Sequence, residues 1–71
     1  MKILNMVSVS SSNLSSVGYE NGTLYIAFRA GGLYAYYNVP ENVFNALMSA
    51  SSHGKFFSQF IKNRYRYKRI R

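Results

Sequence analysis

The chain has 71 residues and a mass of 8.1 kDa, which is enough for one small domain and no more, so we assign residues 1–71 to a single domain. The absence of cysteine excludes disulfide staples and thiolate metal sites, and the 48% of hydrophobic residues is too high for a disordered basic tail. No apolar run approaches the roughly 20 residues of a membrane span, and the apolar residues at the start of the chain, about five, are too few for a secretory signal. We therefore expect a cytoplasmic domain whose core depends on seven tyrosines and five phenylalanines.

The positive charge is concentrated in the last part of the chain. Nine Lys and Arg residues against two Glu residues give a net charge of +7, and all of that excess lies in residues 43–71. Six of the seven positive side chains in that half fall within residues 62–71, where the run Arg64-Tyr65-Arg66-Tyr67 alternates cations with aromatic rings. A solubilising tail is the simpler interpretation, but this alternation favours attraction to a polyanion.

The first elements are predicted to be strands. The serine-rich stretch 8–16 indicates irregular structure near the start of the domain, and we expect residues 1–9 to be an irregular entry segment. Asn21-Gly22 predicts a two-residue hairpin turn, because both of its central positions need a positive φ angle. In that register Glu20 pairs with Thr23, Tyr19 with Leu24, Val17 with Ile26 and Ser15 with Phe28.

A second turn is predicted at Gly31-Gly32. A two-residue loop there places Leu33, Ala35, Tyr37 and Val39 on the core face with Leu24, Ile26 and Phe28. The opposite face then exposes Tyr25, Arg29, Tyr34, Tyr36 and Asn38. A three-residue loop with a bulge would reverse the faces of this third strand.

Two short helices are predicted next. Pro40 suits a first helical turn, and Val43, Phe44, Leu47 and Met48 form an apolar stripe with helical spacing. A second stripe, Phe56, Phe57, Phe60 and Ile61, follows Ser52 as its N-cap and ends at Asn63 as its C-cap. The predicted fold class is α+β, a three-stranded antiparallel meander packed against two helices, and the basic extension at 64–71 either stays extended or adds an edge strand.

Several segments resemble one small family. They are Ser11-Ser12-Asn13-Leu14, Val17-Gly18-Tyr19, Tyr34-Ala35-Tyr36-Tyr37-Asn38-Val39-Pro40, Ser52-His53-Gly54-Lys55-Phe56-Phe57 and residues 61–65. Together they resemble the KTSC domain, which is named for an extension of some lysyl-tRNA synthetases and also occurs in small bacterial and phage proteins. The resemblance implies RNA binding, which the synthetase context has suggested. Ser51, Ser58 and Arg66 depart from the Pro, Asn and Pro of the family pattern.

The side-chain inventory argues against catalysis. With no Cys, no Asp, one His and two Glu, the chain has neither a metal-ligand cluster nor a close carboxylate pair, so we expect no enzyme, no cofactor and no metal. His53 beside Lys55 leaves a metal-free ribonuclease as a third hypothesis, although a lone histidine at a helix start is more often incidental.

Nucleic acid, as RNA or another single strand, is therefore the favoured partner. Tyr25, Arg29, Tyr34 and Tyr36 would present a stacking surface, unless the two latter tyrosines belong to the core. Phosphates and bases would be contacted by Lys55 and by residues near the C-terminus, which are Lys62, Arg64, Tyr65, Arg66, Lys68 and Arg69. Ser52, Gly54 and Lys55 would hold a phosphate at a helix start, or would simply cap that helix. The alternative function is a protein-interaction or regulatory module that uses the aromatic face or an edge strand.

Overall fold

The computed structural model describes residues 5–71. The fold is α+β, as the sequence predicted, with five antiparallel strands and two helices. The strands are β1 (Val7–Ser8), β2 (Leu14–Glu20), β3 (Thr23–Phe28), β4 (Leu33–Tyr36) and β5 (Tyr67–Arg69), and the helices are α1 (Glu41–Ser49) and α2 (His53–Phe60). The sheet order is β1-β2-β3-β4-β5, so every strand lies beside its neighbours in the chain. Both helices cover one face of the sheet, and the core lies between them and Leu14, Val17, Leu24, Ile26 and Tyr36.

The β2–β3 hairpin has the predicted turn. Asn21 and Gly22 have φ angles of 51° and 80°, and the Glu20–Thr23, Tyr19–Leu24 and Val17–Ile26 pairs are all present. The predicted Ser15–Phe28 pair is wrong, because a bulge between Leu14 and Ser16 places Leu14 opposite Phe28. This extra residue turns an apolar side chain to the core, where Leu14 is fully buried.

The β3–β4 connection differs from the predicted two-residue turn. Phe28 donates its N–H to the carbonyl of Gly32 at 3.1 Å, and Gly31 donates to Phe28 at 3.0 Å, so three residues form the loop. Gly31 and Gly32 have φ angles of 115° and 94°, which favour glycine at both positions. Tyr34 consequently pairs with Ile26 and Tyr36 with Leu24.

That register reverses the predicted faces of β4. Tyr34 and Tyr36 lie on the same face as Leu24 and Ile26, whereas Tyr25, which pairs with Gly18 and Ala35, lies on the opposite face. The expectation of one exposed surface containing Tyr25, Tyr34 and Tyr36 is therefore wrong. A change of one residue in loop length exchanges the two faces, because side chains alternate along a strand.

Both edge strands of the sheet come from segments whose sequences do not strongly predict a strand. The basic extension forms the predicted edge strand, with Tyr34 opposite Arg69 and Tyr36 opposite Tyr67. At the other edge, Val7 and Ser8 pair with Val17 and Ser16, so the entry segment is not irregular throughout, and residues 1–4 lie outside the described part of the chain.

The two helices begin close to their predicted starts, although Pro40 precedes α1 instead of lying in its first turn. Pro40 is the N-cap of α1, and the hydroxyl of Ser52 accepts the N–H of Lys55 at 3.3 Å and so caps α2. Asn63 is not the C-cap. The helix α2 ends at Phe60, and its C-cap is Ile61, whose backbone N–H donates to the carbonyl of Phe57. Within residues 5–71, neither helix is long and apolar enough to cross a bilayer.

Candidate nucleic-acid interface

Five aromatic rings form a closed circuit on the helix-covered face of the sheet. Consecutive ring centroids around the circuit are 5.4 to 5.8 Å apart, and three of the five contacts are edge-to-face. In order, the rings are Phe28, Tyr34, Tyr67, Tyr36 and Phe57. Edge-to-face contacts between aromatic rings are favourable, so the circuit holds its members in fixed orientations.

These rings line an open groove of about 510 Å³ beside α2. The rest of the lining is mostly polar. Ser12 and Asn13 precede β2, and Ser58, Lys62 and Asn63 come from α2 and the turn after it, while Ala30 and Gly31 belong to the β3–β4 loop. A volume of this size is typical of small-ligand sites, and aromatic walls with polar rims suit a planar polar ring.

The five rings differ in how much of their surface solvent reaches. Tyr36 is only 4% exposed, whereas Tyr34 is half-buried and Tyr67 is 58% exposed. Burial, followed by the neighbouring hydroxyls of Tyr67 and Tyr34, raises the pKa of Tyr36 to about 12. Tyr36 is thus mainly a core residue, and Tyr34 and Tyr67 supply the accessible ring surface.

Arg69 adds a positive charge beside this ring surface. Its guanidinium carbon lies 5.9 Å from the centroid of the Tyr34 ring, and its Nε donates to the carbonyl of Arg71 at 3.2 Å. Gly32 makes room for both side chains, since a Cβ there would lie 3.1 Å from Tyr34 Cε1 and 3.4 Å from Arg69 Nε. The rings and the cation are therefore packed as one unit.

The predicted basic residues divide between different faces. Tyr67 and Arg69 lie on the groove face of β5, opposite Tyr36 and Tyr34, whereas Lys68 pairs with Ala35 and lies on the other face. Lys62 lines the groove, and Arg64 and Arg66 are exposed in the segment that leads to β5. Tyr65 packs against the hydrophobic core and does not line the groove.

Arg29 lies in the β3–β4 loop and not on a strand beside the tyrosines. It belongs to the three-residue loop, where its side chain is exposed and its Nε donates to the carbonyl of Ser11. Its backbone N–H donates to Asn13, which lines the groove. Arg29 thus supports the rim of the groove rather than a stacking surface.

The two acidic residues lie at the far end of the sheet. Glu20 ends β2 beside the Asn21-Gly22 turn, and the N–H of Val39 donates to Gly22 at 2.8 Å, which brings the start of α1 and Glu41 to the same end. The groove adjoins the opposite end of β3, at Ala30 and Gly31. Among the residues that line the groove in the described part of the chain, Lys62 is charged and none is acidic.

Sequence reasoning missed part of the groove. Tyr67, Phe28 and Phe57 were not predicted as site residues, and neither were Asn13 and Asn63. The alternation of Tyr65, Arg66 and Tyr67 was a usable signal, but the faces of these side chains depend on pairing with β4.

Comparison with known proteins identifies the family that the sequence motifs resemble. The sequence profile of the KTSC domain matches residues 10–65. The chain belongs to the KTSC domain family. A crystal structure of a KTSC domain protein from Yersinia pestis is 39% identical and superimposes with a TM-score of 0.93, covering 97% of this chain and all of that one.

Relatives of this KTSC domain occur in two protein contexts. A protein from Stutzerimonas stutzeri is 43% identical over 70 residues, which cover 94% of this chain and 99% of the relative. A lysine–tRNA ligase from Trichormus variabilis is 38% identical over 67 residues, which cover 92% of this chain but 12% of the ligase. The resemblance to the family, and to a segment of these ligases, is thus confirmed.

In this KTSC domain, the family motif at residues 52–57, where α2 begins, makes contacts within the protein. The Ser52 hydroxyl and the Lys55 N–H bond to each other, and Gly54 is buried where a Cβ would lie 3.1 Å from Asn13 Nδ2. Of the predicted phosphate cradle, Ser52 and Lys55 are exposed, but the Ser52 hydroxyl already accepts the Lys55 N–H. The geometry favours the simpler interpretation of Ser52 and Gly54, a capped and closely packed helix start.

Proposed function

We propose that this KTSC domain binds single-stranded nucleic acid, with RNA as the favoured form, in the groove beside α2. One base stacks on the accessible rings of Tyr34 and Tyr67, and Lys62 and Arg69 contact the adjoining phosphates. The domain acts as a binding module and not as an enzyme.

The observation that carries this proposal is the alternation along β5. Because Tyr67 and Arg69 lie on the same face of β5, the exposed Tyr67 ring lines the groove and the Arg69 guanidinium lies beside it, near a second ring, Tyr34, whose centroid is 5.8 Å from that of Tyr67. Stacking of a base on an aromatic side chain contributes about 1–3 kcal/mol, and cations beside it hold the backbone. A cationic ligand is disfavoured here, since Lys62 and Arg69 would repel it.

The favoured form, RNA, is supported by the relatives. The ligase from Trichormus variabilis, and a second from a Nostoc species that is 38% identical over 48 residues, are by name enzymes that act on a tRNA. A module that contacts single-stranded parts of an RNA is consistent with that context, because unstacked bases are the usual targets of sequence-reading RNA-binding proteins.

The test compares two neighbouring cations on opposite faces of β5. Binding of a fluorescent single-stranded RNA is measured at several salt concentrations for the parent, Arg69→Gln and Lys68→Gln. We expect Arg69→Gln to weaken binding and to reduce the slope of log K against log salt by about 0.7, the value for one lost phosphate contact. Lys68→Gln, which removes the same charge from the other face, should change neither by as much.

A third variant separates stacking from charge. Tyr67→Ala removes the most exposed ring of the groove, so it should lower the affinity of the folded protein with little change in the salt slope. Equal effects of Arg69→Gln and Lys68→Gln would show that the groove is not the site. If the parent does not bind below about 100 µM at physiological salt, the usual non-specific range, the proposal is wrong and the protein-interaction module replaces it.

A further inference from the structure

A second depression adjoins the aromatic groove along α2. It has a volume of about 410 Å³ and is lined by Asn13, Gly54, Lys55, Ser58 and Gln59. Asn13 and Ser58 line both depressions, so the two form one continuous track with these residues at the division. The second depression contains no aromatic side chain.

We propose that the two depressions are adjoining subsites for one strand, the aromatic groove for a base and the second depression for the next phosphate and its sugar. This inference rests on the proposed nucleic-acid function and assigns Lys55 as the phosphate contact of the second subsite. The different linings support the assignment, because a base needs a ring surface whereas a sugar-phosphate needs donors and a cation.

The backbone of Asn13 is held by two hydrogen bonds at the division between the subsites. Its N–H donates to the Ser11 hydroxyl at 3.2 Å, and its carbonyl accepts the N–H of Arg29 at 2.9 Å. Gly54 lets α2 approach its side chain so closely that a Cβ on the glycine would lie 3.1 Å from Asn13 Nδ2. The side-chain amide of Asn13, which has both a donor and an acceptor, therefore extends from an anchored backbone where the backbone of the strand would pass.

The charges along the track also fit a strand of phosphates. Lys55 lies in the first turn of α2 and Lys62 lies just beyond its end, so the two cations bracket the path. No acidic side chain lines either depression in the described part of the chain. Successive negative charges can therefore be contacted along α2 without a repulsive neighbour.

The experiment uses three small probes and amide chemical shifts measured by NMR. The probes are uridine monophosphate, uridine bisphosphate with one phosphate on each side of the ribose, and the diuridine pUpU. We expect the bisphosphate to bind roughly three- to tenfold more tightly than the monophosphate, the value of one screened charge-assisted contact. Shifts at Lys55 and Asn13 should accompany the second phosphate, and pUpU should gain little more, because the second subsite has no ring.

Two variants determine whether the second subsite is real. Lys55→Gln should remove the gain from the second phosphate and leave monophosphate binding unchanged, whereas Lys68→Gln should keep the gain. If the monophosphate and the bisphosphate bind equally, or if the gain persists in Lys55→Gln, the second subsite is wrong while the aromatic site stands. If no probe and no longer RNA binds, the proposed function and this inference both fail.

Discussion

Nδ1 of His53 lies 2.8 Å from the carbonyl oxygen of Leu47, which joins the first residue of α2 to the last turn of α1. A carbonyl oxygen can only accept, so Nδ1 carries the hydrogen of this bond. The same carbonyl also accepts the backbone N–H of Ala50 at 3.3 Å, so His53 supplies a second donor at the C-terminal end of α1. The histidine thus has a structural role at the corner between the helices.

We predict that the purified protein does not cleave RNA. His53 is the single histidine of the chain, and one of its nitrogens is engaged with Leu47, so a second acid–base group is lacking. The measurement is incubation of a labelled RNA followed by gel electrophoresis. Cleavage that disappears in a folded His53→Ala variant would establish the ribonuclease hypothesis instead.

His53→Ala should lower the free energy of unfolding by about 1 kcal/mol, the usual value of one intramolecular hydrogen bond. His53→Asn is the matched control, because the amide of asparagine can donate from a similar position, and it should restore part of the loss. Urea denaturation measures both. Equal losses in the two variants would show that the bond to Leu47 contributes nothing.

Gly22→Val should destabilise the protein more than Gly54→Ala. Gly22 has a φ angle of 80°, which a β-branched residue adopts only with strain of about 1–3 kcal/mol. At Gly54 the φ angle is ordinary, and the higher helix propensity of alanine offsets the contact of its Cβ with the flexible end of Asn13. Comparable losses of melting temperature in the two variants would contradict the turn assignment.

Tyr19→Phe should cost about 1 kcal/mol of stability. The hydroxyl of Tyr19 donates to the carbonyl of Val39, while its ring stacks on Phe44 with centroids 4.9 Å apart and remains in the variant. Tyr37→Phe removes a hydroxyl from a more exposed ring and should be nearly neutral. Thermal unfolding of both variants tests this, and a neutral Tyr19→Phe would mean that the hydroxyl bond is not stabilising.

Stability should fall in alkaline solution partly through Tyr36. Its pKa is raised to about 12 in the folded state, against about 10 for an unfolded tyrosine, so the folded state holds this proton more tightly. The contribution is therefore complete below pH 10 and is lost as the pH rises from 10 to 12, at no more than about 1.4 kcal/mol per pH unit, and less where groove water screens the charge.

The check is urea denaturation of the parent and Tyr36→Phe at several pH values between 9 and 12. The stability advantage of the parent over the variant should shrink as the pH rises. A constant difference over this range would show that the Tyr36 proton is held no more tightly in the folded state.

The sequence by itself determined the elements whose signals are local. Asn21-Gly22 specified the β2–β3 turn, because few other residue pairs accept two positive φ angles, and that turn set the register of three predicted pairs. The helical spacing of the apolar stripes and the Ser52 cap predicted α1 and α2. Local segments such as residues 11–14, 34–40 and 52–57 carry the resemblance to the KTSC family, and the match to the family confirmed it.

The tertiary structure decided which side chains share a surface. A loop of three residues instead of two turned Tyr34 and Tyr36 to the helix-covered face, and the bulge at Ser15 turned Leu14 inward. Pairing with β4 determines which side chains of the short edge strand β5 lie on each face. Tyr67 and Arg69 lie on the groove face of the sheet, and Lys68 lies on the opposite face. The physical reason is the two-residue period of a strand: one inserted residue reverses every later side chain, and only packing against the rest of the molecule selects the loop.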